Sequence, residues 1–229
     1  MNNPTIPFPK DGLGMFVHLE PLEWWYLSAA VADAQADKRE TGFNTAFHGP
    51  DHFFSIFEMG FAPHVPSPNG PLAGMYRVGF WYDPQDKDKH GGGTKRDDTG
   101  LYLSLDQMLW REPAGDGGKA DQGLGAFVRY GLADDAVSDI SSFWSAGVRY
   151  KGLLPTRDED VLAAGFALGR LVAAAGYDRS CESAIEVYYN ARITPWLSLS
   201  PSFQYVRNPG GVDGVHGAYV VGCRLQMRF

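Results

Sequence analysis

Between Tyr219 and Phe229 apolar and polar side chains alternate: Tyr219, Val221, Cys223, Leu225, Met227 and Phe229 share one parity, with Gly222, Arg224, Gln226 and Arg228 between them. Successive side chains of a strand point to opposite faces, so this segment reads as a β-strand with one apolar face. The same sorting separates Leu124, Ala126, Val128 and Tyr130 from Gly125, Phe127, Arg129 and Gly131, and Ile185, Val187 and Tyr189 from Glu186, Tyr188 and Asn190. About eleven such segments follow one another, near 14–20, 24–33, 52–61, 72–82, 99–110, 122–131, 140–151, 161–171, 182–193, 197–207 and 217–229. They approach the about 9–11 residues of a tilted transmembrane strand and exceed the roughly 5–6 of a soluble one. No stretch supplies the roughly 18 uncharged apolar residues of a spanning helix; the nearest, 161–176, is broken by Arg170. The pattern predicts an all-β fold, an antiparallel transmembrane barrel.

Solvation energies decide which face meets which medium. An arginine on the lipid face at mid-membrane costs about 2–4 kcal/mol, so turning Arg77, Arg129, Arg149, Arg192 and Arg224 outward would cost on the order of 10 kcal/mol. These side chains are therefore expected in the lumen. Aromatic residues then fall near strand ends on the lipid side, Trp25, Tyr150, Trp196 and Phe229 towards one rim and Tyr82, Tyr205 and Tyr219 towards the other, as interfacial girdles do. The links at Glu20–Glu23 and Thr194–Trp196 are short, 152–160 is modest, and the alternate links, notably 33–50 and 83–98, are longer and polar. Short periplasmic turns and long outer loops are the outer-membrane pattern, and they are expected to put every long link outside. Segment 158–176 is ambiguous, since acidic residues before an Ala/Leu run resemble a helix start. Alternation of Leu162, Ala164, Phe166 and Leu168 with Ala163, Gly165, Ala167 and Gly169 assigns it to a strand.

The net charge of -7 and pI near 5.3 argue against nucleic acid as a partner, because phosphate recognition needs a basic surface. The N-terminus has neither the basic region nor the apolar run of a signal peptide. His48 and His52 flank Asp51 without a set of metal-spaced ligands, so no metal and no cofactor is expected. Cys181 is assigned to an outer loop and Cys223 to the lipid face, a separation that disfavours a disulfide. No nucleophile elbow organises the Ser, His and acidic residues, so no enzyme is expected.

Several phrases resemble one family. They are GLYLSLDQMLWREP at 100–113, DQGLGAF at 121–127, the GLLPTR turn at 152–157, and ITPWLSLSPSFQYVRNPGG at 193–211, together with the closing aromatic residue. These are similar to the carbohydrate-selective porins of the OprB family, over about Asn3 to Phe229. The resemblance implies a sixteen-stranded bacterial outer-membrane barrel through which monosaccharides such as glucose diffuse, as a monomer or homotrimer surrounded by outer-membrane lipid. Residues 1–229 are then expected to be a single domain, the C-terminal portion of that barrel. About eleven of sixteen strands would be present, without the signal peptide, the early strands or the inward-folded early loops. An odd strand count agrees, because a barrel must close to leave no edge in lipid.

A sugar needs donors, acceptors and flat apolar surfaces, each binding weakly enough to release it. The predicted lumen face offers Arg77, Arg129, Arg149, Arg192 and Arg224 as donors, Glu58, Asp106 and Glu186 as acceptors, and Trp81, Tyr102, Phe127, Phe143 and Tyr188 as stacking surfaces. Glu58, Arg77, Asp106, Arg129 and Glu186 are the leading candidates because they lie away from strand ends. Any wide barrel also carries lumen charges that brace one another across the wall, and each single residue admits that reading. Three functions stand beside one another: a sugar porin, whole or as a non-functional truncated fragment; a barrel enzyme such as a lipase; and a soluble glycan-binding sandwich. The last would expose far more apolar surface than the few hundred Å² a soluble monomer tolerates.

Overall fold

A computed structural model describes residues 3–7, 12–37, 40–47, 52–113 and 121–228. His48, Asp51 and Phe229 lie outside the described residues. Eleven long strands run in chain order: β1 (Gly14–Leu22), β2 (Trp25–Asp33), β3 (Phe53–Phe61), β5 (Leu72–Asp83), β8 (Asp98–Arg111), β9 (Gly123–Leu132), β10 (Ile140–Lys151), β11 (Val161–Leu171), β12 (Cys181–Thr194), β13 (Leu197–Arg207) and β14 (Ala218–Met227). Three two-residue strands lie in the links, β4 (His64–Val65), β6 (Lys87–Asp88) and β7 (Thr94–Lys95). The long strands form one antiparallel sheet in sequence order, with β4 added beside β5. β1 and β14 each pair on one side only, so the sheet is not closed on itself.

Segment 161–171 is a strand, paired with β10 and β12 along its length. Leu162, Ala164, Phe166 and Leu168 face outward against Tyr150, Val148, Ala146 and Trp144 of β10. Pairing on both sides satisfies every backbone group of the segment, which outweighs the modest helix propensity of Ala and Leu. The outward face is apolar along the sheet: Phe57, Leu103, Ile185, Phe203 and Val221 are all exposed. Aromatic pairs sit at its margins, Trp24 with Phe61 and Trp110 with Tyr150 at one end, Tyr205 with Tyr219 at the other.

The links depart from the expected alternation. Turns 23–24 and 195–196 are tight, with Pro21 and Leu22 still inside β1. Links 62–71, 112–122 and 152–160, at that same end, are no shorter than 133–139 and 172–180 at the other. Two of them are fastened locally: β4 folds back on β5, and Asp160 accepts hydrogen bonds from the Arg157 Nε at 2.7 Å and the Arg192 backbone N–H at 2.8 Å. In that turn Gly152 takes a positive φ of 82° and Thr156 one of 68°. Cys181 opens β12, opposite Arg170, and not an outer loop; Cys181 and Cys223 are both free thiols.

At the opposite end, link 34–52 contains the short helix α1 (Gly42–Phe47). Link 84–97 forms the β6–β7 hairpin, tied to link 133–139 through a Lys95–Asp134 ion pair and the His90 N–H on the Ala136 carbonyl. The hydrogen bond from Lys95 holds the Asp134 carboxyl below the usual range, and its partner raises Lys95 in turn. A carboxyl depressed in the folded state contributes docking that is complete above the ordinary value of about 3.9 and lost as pH falls through the lower folded value. A raised lysine contributes below about 10.4 and is lost above its folded value. Hydrogen-exchange protection of residues 87–95, corrected for intrinsic rates, should therefore be flat between about pH 5 and 9 and fall below about pH 4. Protection that shows no decline as pH falls below the ordinary carboxyl range would mean that the pair does not hold the hairpin.

Candidate functional site

Register places residues distant in sequence on common rows of the concave face. One row runs Tyr26, Gly60, Arg77, Ser104, Arg129, Ser145 and Ala167 across β2 to β11. The row beside it carries Glu58, Gly79, Tyr102, Gly131 and Phe143; the row on its other side carries Asp106, Phe127, Gly147, Gly165, Glu186 and Gln204.

These rows are knit into one polar network. Glu58 accepts hydrogen bonds from the Tyr26 hydroxyl at 2.6 Å and the Tyr102 hydroxyl at 2.9 Å. Arg77 donates from Nε to the Tyr26 oxygen at 3.2 Å and from Nη1 to Ser104 and Asp106, both at 3.3 Å. Asp106 receives Arg129 Nη2 on both carboxylate oxygens, at 2.8 and 2.9 Å. Arg129 Nη1 donates to the Leu105 carbonyl at 2.7 Å, and its guanidinium carbon lies 5.2 Å from the centre of the Phe127 ring. One carboxylate thus holds two guanidiniums in fixed orientation, with charge-assisted bonds stronger than neutral ones.

Glycine makes this geometry possible. Tyr26 faces Gly60, Tyr102 faces Gly79, Trp81 faces Gly100 and Phe127 faces Gly147 across neighbouring strands. A Cβ at any of these four glycines would fall inside the facing ring. Each ring therefore lies flat on the wall where its partner has no side chain, and the two tyrosine hydroxyls are delivered to Glu58. Gly79→Ala should displace Tyr102 and cost about 1–3 kcal/mol in refolding stability, as overpacking does. Gly169→Ala, whose Cβ would meet only Ile140 at 3.6 Å, should change stability by less than about 0.5 kcal/mol. Equal effects in urea titrations would remove the steric argument.

Below this network a concave cavity of about 970 Å³ opens between β5 and β13. Asp106, Phe127, Arg149, Glu186, Tyr188 and Arg192 line it. Arg149 is exposed there, lying over Gly125, and makes no ion pair with a described residue. Glu186 accepts a hydrogen bond from Gln204 at 2.9 Å. Arg192 is paired with Glu159 at 2.9 Å, which also meets Lys151 at 3.2 Å. Arg224 faces the same side from β14, opposite Ser200, and is exposed.

The aromatic candidates divide. Phe127 and Tyr188 line the cavity. Trp81 is 0% exposed, and Tyr102 and Phe143 are also buried, so these rings do not offer a free face. Trp81 packs with Ala34, Phe54 and Tyr102, and Ile6, Ile56 and Ala133 lie against that cluster. Residues 3–7 cross the wall here: Thr5 is buried, and a Cβ at Gly131 would strike Thr5 and Asn3. Alternation alone placed Trp81 on the concave face but could not show that another segment covers it. Tyr26, Ser104 and Gln204 join the candidates through register. Glycine opposite an aromatic residue at polar-facing positions is the signal that would have found Tyr26.

Over residues 1–229 the chain matches the family model described as carbohydrate-selective porin, OprB family. It is 25% identical to Porin B of Pseudomonas aeruginosa over 242 residues, covering 90% of this chain and 52% of that protein. The chain thus spans about half the length of the curated relatives it matches. The high-pH structure of Pseudomonas putida OprB superposes with a TM-score of 0.81 at 22% identity, over 94% of this chain and 58% of that one. The low-pH structure of the same protein gives 0.65 at 19% identity, over 94% and 55%. These solved structures support the fold.

Proposed function

The chain belongs to the OprB family of carbohydrate-selective porins, and from that premise we propose that it forms the wall of an outer-membrane pore through which neutral monosaccharides such as glucose diffuse passively. The family is one of channels and not of enzymes. The observation that carries the proposal is the polar network Glu58–Tyr26–Arg77–Asp106–Arg129 standing beside the cavity edged by Phe127, Arg149, Glu186, Tyr188 and Arg192. A sugar crossing this face exchanges water for a succession of oriented donors and acceptors, none dominant, and its C–H faces meet the rings of Phe127 and Tyr188. Such spaced, weak contacts permit both entry and release. Pairing with Asp106 and Glu159 keeps Arg77, Arg129 and Arg192 from acting as strong anion traps.

The edges of β1 and β14 cannot remain unpaired in hydrocarbon. We infer that further strands lie between them in the closed pore, consistent with the share of the relatives' length this chain spans. Outer-membrane lipid surrounds the outward face, small sugars are the partners within, and the pore is a monomer or homotrimer. Two measurements on proteoliposomes test the reading: swelling in isotonic glucose compared with a charged solute of similar size, and reduction of salt conductance by glucose. Swelling that does not favour glucose, together with conductance indifferent to it, would refute sugar passage.

A further inference from the structure

Above the outer tyrosine girdle the outward face changes character. Ile185, Tyr205 and Tyr219 share one row across β12, β13 and β14. One row further out, Leu168, Ser183 and Arg207 stand on β11, β12 and β13; the row beyond pairs Ser142, Arg170 and Cys181 on β10, β11 and β12. Register keeps Arg170 in phase with Leu162 to Leu168, and Arg207 in phase with Phe203 and Tyr205, so both face away from the lumen. Both are exposed. Strand spacing and rise put their Cα atoms about 12 Å apart, within reach of one ligand from two long side chains.

Among the described residues at this end, four other cations are neutralised, while Lys89 stands exposed in link 84–97 without an ion pair. Lys87 pairs with Asp83 and Asp98, Lys95 with Asp134, Arg96 with Asp86, and Arg179 with Asp213. Arg170 and Arg207 make no side-chain hydrogen bond or ion pair with a described residue. In a chain of net charge -7, two uncompensated guanidiniums at headgroup height meet an anion that the protein itself does not supply.

Resting on the outer-membrane reading above, we propose that Arg170 and Arg207 form a binding site for the phosphate groups of an anionic lipid headgroup at the outer rim. Guanidinium forks match phosphate oxygens bidentately, Ser183 on β12 adds a hydroxyl group between them and Ser142 on β10 one beside Arg170, and the tyrosines below hold the glycerol or sugar level of the interface. A neutral headgroup would leave both charges unmatched.

The full chain in detergent, exposed to a diphosphorylated glycolipid and to the same glycolipid without phosphates, tests this by native mass spectrometry of retained lipid. The wild type should retain the phosphorylated form about tenfold better or more. Arg170→Gln with Arg207→Gln should lose that preference, and Arg170→Lys with Arg207→Lys should keep part of it. Equal retention by the wild type and the glutamine variant overturns the site. Displacement by millimolar inorganic phosphate also overturns it, assigning the arginines to free phosphate instead. Glucose block is measured on the same preparations. Its absence in all of them would strike the porin reading alone, while lipid retention decides this one.

Discussion

Asp106→Ala is expected to make the pore markedly more anion-selective and to change its block by glucose, while the protein still assembles. The Asp106 carboxylate is shared by Arg129 at 2.8 Å and Arg77 at 3.3 Å, and both arginines share a row with Ser104 between them. Removing the anion leaves two like charges flanking one serine, held only by the neutral Tyr26 and Ser104 hydroxyls and backbone carbonyls. The stability term is small, because the Asp106 side chain is 40% exposed and its partners 25–31%. Solvent screening leaves about 1 kcal/mol or less for such a pair. The functional term is larger, since a lumen residue sees every solute and the network of Glu58, Asp106, Arg77 and Arg129 moves from balance to one net positive charge. Reversal potentials in a salt gradient measure the first effect and glucose titration of conductance the second. Adding Arg129→Ala to Asp106→Ala should bring selectivity back towards the wild type. Unchanged selectivity and block in Asp106→Ala would reduce the network to bracing and remove it from the transport path.

Which face each residue occupies was legible in the sequence, because strand period is an intrinsic property of the backbone and the cost of an outward arginine is large. Even the 161–171 segment follows its alternation and not its helix-like composition. Which residues meet was not legible. Tyr26, Glu58, Arg77, Asp106 and Arg129 span five strands, and only register brings them together. Register depends on link lengths and on bulges such as that between Met108 and Trp110, which shift pairing without leaving a local mark. Trp81 shows a second limit: period assigns it to the concave face, yet residues outside the strands decide that it is buried. The unequal links 62–71 and 112–122 show a third, since length alone does not say which end of a sheet a connection occupies.

Neighbouring residues of β12 offer the sharpest test of the face assignment. Val187 points outward at mid-strand, 44% exposed, in a row with Ala164, Phe203 and Val221. Tyr188 points the other way and lines the concave cavity. Val187→Arg should cost about 2–4 kcal/mol in refolding into lipid vesicles, because the guanidinium must lie in hydrocarbon or drag water to it. Tyr188→Arg should cost less than about 1 kcal/mol, since its side chain stays in a solvated space already holding Arg149 and Glu186. In detergent solution the Val187→Arg penalty should shrink, because a micelle lets water reach the charge more readily than a bilayer does. One position along the chain thus separates an effect of the medium from an effect of the residue. Comparable costs for the two variants in vesicles would mean that β12 does not present one face to lipid and the other to water. The solvation cost would then no longer require Arg77, Arg129, Arg149, Arg192 and Arg224 to face inward.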